Sequence, residues 1–379
     1  MSSERTIAFV ATGQIPPSPP PASEVGPIHW LRENLFDGVV NSILTLVSIV
    51  AVVMIVPPLF DWIFLKGVWN ADSLGGCREV IAAAHGEGVS GGCWAVIRER
   101  FNQFIFGFYP SELYWRPLLA FALMGFAAVP VLFDHVPYRK YGLMYSATFP
   151  IIAYFLIWGG LGLEPVDSDQ IGGFLLAIII GVTGIVASLP IGIVLALGRQ
   201  SSMFFIKTMC VVFIEFIRGV PLITLLFVAS SLLNYFLPPG TNFDLIMRVV
   251  IMVTFFASAY MAEVIRGGLA ALPQGQYEAA SALGLNYWKS TRLIIMPQAL
   301  KVSIPGIVNT FIGLFKDTTL VSVIGLLDPV GMLNPIRATA AWNGILWELY
   351  LFVAVMFWIF CFSMSRYSMY LENKLKTDR

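Results

Sequence analysis

Adjacent Lys316 and Asp317 interrupt an apolar stretch that runs from Val302 to about Leu327. A charge enclosed in so long an apolar run costs about 3 kcal/mol when unpaired, so each such group is a candidate for function. Neighbours on a helix project about 100° apart, so these two do not serve as each other's partner. Two readings stay open. With Thr318, and with Asn309 and Thr310 earlier on the stretch, the pair offers both charge signs to a passing zwitterion, or it braces the helices internally. Glu263 and Arg266 stand i, i+3 apart, as do Glu215 and Arg218, which predicts two local ion pairs. Both read first as structural pairs, with Glu263 kept as a pathway candidate. Arg248 is expected to snorkel to an interface. His29, His85 and His135 fall in separate polar segments, so neither a metal site nor histidine catalysis is predicted.

The elements that must position these groups follow from composition. Of 379 residues, 57% are hydrophobic and 12% charged. A soluble domain carries about 45–50% apolar and about 25% charged residues, so a soluble enzyme is excluded as the first reading. The 23 basic and 23 acidic side chains cancel, leaving no electrostatic footprint for nucleic acid. Apolar runs long enough to cross a bilayer lie at 38–60, 117–133, 141–163, 171–198, 219–243, 245–265, 302–327 and 349–365. In hydrocarbon the backbone must satisfy itself, so these are helices: an all-α polytopic membrane protein of about eight transmembrane helices.

Lys and Arg collect at 134–140, at Arg199 and Lys207, between Arg266 and Lys301, and in the tail. The loop 163–170 holds acids and no base. Both termini are therefore expected inside. Residues 1–35 read as a cytoplasmic Pro-rich arm, and the long loop, about 61–116, as a periplasmic insert. In that oxidising compartment Cys77 and Cys93 are disulfide candidates, closing a loop worth about 3 kcal/mol in the chain-entropy model. Two free thiols are the alternative.

One inside segment reads as a protruding knob. Tyr277 to Leu283 is a short helix with small residues Ala279, Ala280 and Ala282, ended by Gly284. A second helical piece starts near Tyr287 and presents Trp288, Leu293 and Ile294 before Pro297. Knobs of this kind suit a groove on another protein.

This segment resembles the EAA loop of binding-protein-dependent ABC importer permeases. Glu278-Ala279-Ala280, Gly284, Ile294 and Pro297 fall at the family spacing, with Met296 where leucine is usual, and Leu285 beside Gly284 is expected to join them in coupling. Glu215-Phe216-Ile217-Arg218-Gly219-Val220-Pro221-Leu222 resembles a motif of the polar amino-acid subfamily, the histidine, glutamate and glutamine permeases. The stretches Ala259 to Gly268 and Lys316 to Gly325 are similar to two more. The N-terminal part matches no motif, and its extra spans are similar to the enlarged permeases of general L-amino-acid importers.

The resemblance implies a five-helix type I permease core at 166–379, with its coupling loop at about 270–300, behind an N-terminal extension at 36–165. It implies a multi-pass protein of the bacterial inner membrane. The expected partners are a second homologous permease subunit, two ATP-binding-cassette ATPases, a periplasmic amino-acid-binding protein, the L-amino-acid substrate and membrane lipid. The sequence holds no phosphate-binding GxxxxGK[ST] loop, so ATP and magnesium are expected on the ATPases and no cofactor on this chain. A self-contained secondary transporter would need paired broken helices, and no duplicated motif is seen. A membrane enzyme would need converging acids or histidines, which the spacing does not supply.

Overall fold

A computed structural model describes residues 26–232 and 243–375. The Pro-rich stretch Ile15–Ser23 and the end of the fifth expected span lie outside the described residues. Among those described, seven helices are long and apolar enough to cross a membrane, and a bent pair makes an eighth if counted as one span. Among the described residues no strand ladder forms, only isolated bridges.

The chain divides into two compact units, Met1–Gly67 with Gly88–Gly92 and Val68–Glu87 with Cys93–Arg379. In the first, α1 (Pro27–Leu35) shortens the expected arm, because Pro27 at the helix start has its φ already set for a helix. The apolar α2 (Gly38–Phe60) buries none of its residues. A wide turn, Asp61–Leu65, extends it, with Lys66 paired to Asp61.

The second unit begins with the insert. Here α3 (Leu74–His85) starts at Ser73, whose hydroxyl accepts from the Gly76 N–H at 3.1 Å, and α4 (Ala95–Phe106) follows. Cys77 and Cys93 are joined, with Cα atoms 5.8 Å apart. The Cys93 N–H donates to buried Glu348 at 2.8 Å, tying the insert to the start of the last long helix. Next come α5 (Trp115–Leu132) and α6 (Arg139–Trp158), an antiparallel pair. Gly159, at φ 90°, ends α6 before the expected limit of 163.

The core bundle is α7 (Gly173–Arg199), α8 (Phe204–Gly219), α9 (Leu222–Phe227) and α10 (Leu245–Ala270). Beyond these lie α11 (Gln274–Ala282), α12 (Tyr287–Ser290), α13 (Met296–Asp317), α14 (Leu333–Ala338) and α15 (Trp347–Leu375). The fifth expected span, drawn from Gly219, begins earlier. Pro221 forces Val220 into an extended conformation, so α8 ends there and the chain turns by 102°. Lys207, Glu215 and Arg218 break the apolar run of α8, which hid it from a search for uncharged stretches.

α7 and α10 make the most extensive helix contact. Gly184, Ser188, Gly192 and Ala196 recur every fourth residue along α7, all buried. A Cβ on Gly192 would sit 2.7 Å from the Met261 side chain, and one on Gly184 3.4 Å from Val253. Hydrocarbon gives apolar side chains no reason to leave lipid, so small residues that let backbones close up supply the contact. The insert grips α7 similarly. Gly173, at φ +60°, lies where a Cβ would meet the Phe104 carbonyl at 2.4 Å.

The loop after α13 holds the start of α7, since the Gly173 N–H donates to the Leu327 carbonyl at 2.7 Å. Next to it Asp328 is fully buried and accepts from the Gly331 and Val330 N–H groups at 2.8 and 3.2 Å. Burial pushes its pKa up to about 7 against the opposing pull of those donors.

Two outcomes follow for stability. Gly192→Leu forces α7 and α10 apart and costs about 1–3 kcal/mol, read as a lowered melting temperature in detergent. Gly267→Ala, where a Cβ meets nothing within 4 Å, does not lower the melting temperature. Asp328 holds its proton in the fold between its ordinary pKa and about 7, whereas the unfolded chain releases it. Its contribution therefore falls as pH rises through that window. Asp328→Asn, which keeps an acceptor, flattens this part of the profile in melts from pH 4 to 8.

Candidate coupling site and the charges beneath it

α11 closes on Gly284, whose φ is +67°. The Gly284 N–H donates to the Ser281 carbonyl at 2.9 Å and the Leu285 N–H to the Ala280 carbonyl at 3.2 Å. This reciprocal pair satisfies the last carbonyls of the helix and needs a left-handed residue at this point. Asn286 then caps α12, its Oδ1 accepting from the Lys289 N–H at 2.9 Å. A wide turn, Thr291–Ile295, passes directly into α13.

The knob is anchored from below. Ala280 and Ile295 are buried, and Gln298 donates to Gln276 Oε1 at 3.0 Å, joining α13 to α11. Burial also raises the Tyr277 hydroxyl above its ordinary pKa. The outer face is apolar and uncovered by the described chain: Leu283 is 75% exposed, Trp288 71% and Leu293 64%. Glu278, Ala279 and Pro297 are exposed as well, while Leu285 is half-buried. Ile294, expected on the outer stripe, packs instead against the inner cluster of α7, α10 and α13.

At the base of the knob the charges are not arranged as two i, i+3 pairs. Glu215 and Arg218 are not paired with each other. Glu215 meets Arg199 at 2.7 Å, whereas Arg218 turns to Glu263 at 3.7 Å and lies 5.5 Å over the Tyr260 ring. Glu263 also receives Arg199 at 2.9 Å and Arg266 at 3.1 Å. One carboxylate, 17% exposed, thus collects three guanidinium groups from α7, α8 and α10. Sequence spacing displayed only the α10 pair. Arg199, at the far end of another helix, was read there as a loop charge.

The intramembrane candidates separate in the structure. Lys316 and Asp317 close α13, where it tightens into the 3₁₀ turn Thr318–Ile324. Among the described residues no ion pair reaches either one. Thr318 is buried, its hydroxyl donating to the Phe315 carbonyl at 2.8 Å. Thr310 bonds back to Gly306 at 2.9 Å. Val302, Asn309 and Lys316, spaced by sevens, are all exposed, and a Cβ on Gly313 between them would meet nothing within 4 Å. Arg248 does not snorkel: it is buried and donates to the Ala229 and Ser230 carbonyls at 3.0 and 2.6 Å, satisfying the end of the preceding helix.

Asp134 before α6 accepts from Lys374 of α15 at 2.6 Å and pairs with Arg139 at 3.0 Å. The Lys374 ammonium beside it holds the Asp134 carboxyl below its ordinary range. Among the described residues no group of three or more potential ligands could hold a metal ion.

A knob of two short helices on a bundle of spans defines an importer permease, and comparison with known proteins agrees. Residues 188–377 match the model of the binding-protein-dependent transport system inner membrane component family. The glutamate/glutamine/aspartate/asparagine transport system permease protein BztC of Rhodobacter capsulatus is 53% identical, over 98% of this chain and 99% of its own length. The inner membrane amino-acid ABC transporter permease protein YhdY of Escherichia coli is 44% identical, over 96% and 97%. Among solved structures, an amino acid ABC transporter with histidines matches 53% of this chain and 91% of its own, at 30% identity and a TM-score of 0.48. The chain belongs to this family of permease components: it is a multi-pass inner-membrane transport subunit and not an enzyme.

The charge knot yields a graded expectation. Glu263→Gln removes the ion-pair partner of Arg218 and Arg266 and one of the two partners of Arg199, and lowers stability by roughly 1–3 kcal/mol. Glu215→Gln leaves Arg199 its second carboxylate, Glu263, and lowers stability less. Thermal melts of the two variants in one detergent, at low and at high salt, give the ranking.

Proposed function

We propose that this chain is the membrane permease of an ATP-driven importer that carries polar L-amino acids, of the glutamate, glutamine, aspartate and asparagine class, from the periplasm into the cytoplasm. The observation that carries the reading is the exposed apolar knob, seated on a rigid base at the family's own motif. The name and end-to-end similarity of the Rhodobacter capsulatus relative support the substrate class, and those of the Escherichia coli relative support amino-acid transport.

In this reading the termini and the knob face the cytoplasm and the insert faces the periplasm. The shared partners support that orientation: Arg139 and Lys374, both predicted inside, meet on Asp134. The bond between Cys77 and Cys93 then belongs to an oxidising compartment. Two ATPase subunits receive the knobs of this chain and of a second permease subunit, and a periplasmic binding protein delivers the amino acid. The open stripe of Val302, Asn309, Gly313 and Lys316 on α13 faces the second permease or the path between the two.

ATP binding draws the ATPases and their knobs together and rocks the bundle outward-open, and hydrolysis returns it inward-open. ATP drives the cycle only through its differential affinity for the two states. ATP and magnesium bind the ATPases, since this chain has no phosphate loop.

Gly284→Arg adds bulk and charge in the left-handed position of the knob. Uptake of labelled glutamate, glutamine, aspartate and asparagine by cells expressing it falls to background, while its amount in the membrane stays at the unmodified level. Normal uptake by that variant would overturn the coupling role.

A further inference from the structure

The second unit contains a crevice that the transport reading does not use. It has a volume of about 460 Å³ and lies among α5, α6, α7 and α10. Its walls are almost wholly apolar, with Met124, Ala153, Ile178, Val182 and Val250 among the lining residues. One end is polar. There Trp158 donates to the Ser168 hydroxyl at 2.8 Å, Tyr154 stacks on Trp158 at 5.3 Å, and Asp244 starts α10. Trp and Tyr side by side at the end of an apolar wall mark the headgroup level of a bilayer.

We propose that this crevice is a phospholipid site that takes one acyl chain between the extension helices and the core and prefers an ethanolamine headgroup at its mouth. Three observations select this occupant. Water does not fill a cavity with apolar walls, because it finds too few hydrogen-bond partners there. A polar amino acid would leave its charges unpaired along those walls. The Tyr154 and Trp158 rings at the mouth set these walls at the depth of lipid acyl chains. Membrane hydrocarbon remains, at a depth where it is the solvent.

The mouth supplies the headgroup preference. Asp244 accepts the Ile246 and Met247 N–H groups at 2.9 and 3.2 Å, both on Oδ1, so among the described residues Oδ2 keeps lone pairs for another donor. Asp167 and Asp169 flank Ser168 in the chain, and no Lys or Arg occurs from Leu163 to Gln170. Arg116 nearby is buried and donates to the Glu164 carbonyl at 2.6 Å. An ammonium is attracted to this mouth, whereas a lipid of net negative charge is repelled. The bound chain then acts as mortar between α5–α6 and α7–α10, where protein side chains leave the space unfilled.

The test uses the full chain, purified in mild detergent, equilibrated with equimolar phosphatidylethanolamine and phosphatidylglycerol, and weighed by native mass spectrometry. The unmodified protein retains phosphatidylethanolamine over phosphatidylglycerol by about fivefold, the ratio one charge contributes at a membrane surface. Asp244→Asn, which still caps α10, brings the ratio close to one. Ala153→Phe fills the crevice and reduces the lipid retained, with helicity and melting checked in parallel, and Val182→Phe provides an independent filling. Retention of both lipids in the supplied proportion by the unmodified protein, or undiminished retention by either filled variant, would overturn the proposal.

Discussion

The close approach of α7 and α10 is the constraint on which the rest of the structure depends. In water, two helices meet because their apolar faces leave the solvent. In a bilayer that drive is missing, and contact depends on how many atoms can touch and on polar groups that lipid cannot satisfy. α7 meets the first demand with Gly184, Ser188, Gly192 and Ala196 in one line against α10. The second is met at the end of the same pair, where Glu263 of α10 gathers Arg199 of α7 and Arg218 of α8. Packing sets the distance between the helices, and the ionic knot holds their ends together.

That knot lies within two helical turns of the end of α10 at Ala270, from which the chain leads into α11. The knob is therefore mounted on the most tightly fixed pair in the bundle, and the Gln276–Gln298 bond ties its other side to α13. A displacement of Leu283 or Trp288 is then passed to α10 and α13 rather than absorbed in a loose loop. The proposed coupling needs such a mounting, because a partner can drive the spans only through an element that does not deform first. The uncovered stripe on α13 and the uncovered apolar face of the knob are both surfaces that another subunit would complete.

Much of this was legible in the sequence, and the remainder was hidden for physical reasons. Apolar runs located the spans because a bilayer demands about 20 such residues whatever the fold. Gly284 was readable as a helix end because the left-handed conformation narrows the choice of residue. The partners of Glu215, Arg218 and Arg248 were not readable. Sequence spacing reports neighbours on one helix, whereas these side chains reach Arg199, Glu263 and the Ala229 carbonyl on other elements. The small residues of α7 were visible as letters, but nothing in a single sequence says which face meets a partner helix. The change from α-helix to a tighter turn just after Lys316 and Asp317 was not readable either, because the apolar run continues through it.

The central claim is that this chain is one part of an ATP-driven assembly coupled through its knob. The most direct test is to extract the tagged protein gently from its native membrane and to weigh and identify everything that remains bound. The account predicts an ATP-binding-cassette ATPase and a second permease in stoichiometric amounts, and amino-acid uptake that requires ATP when the assembly is placed in liposomes. A pure chain that transports amino acids with no ATPase present would contradict it.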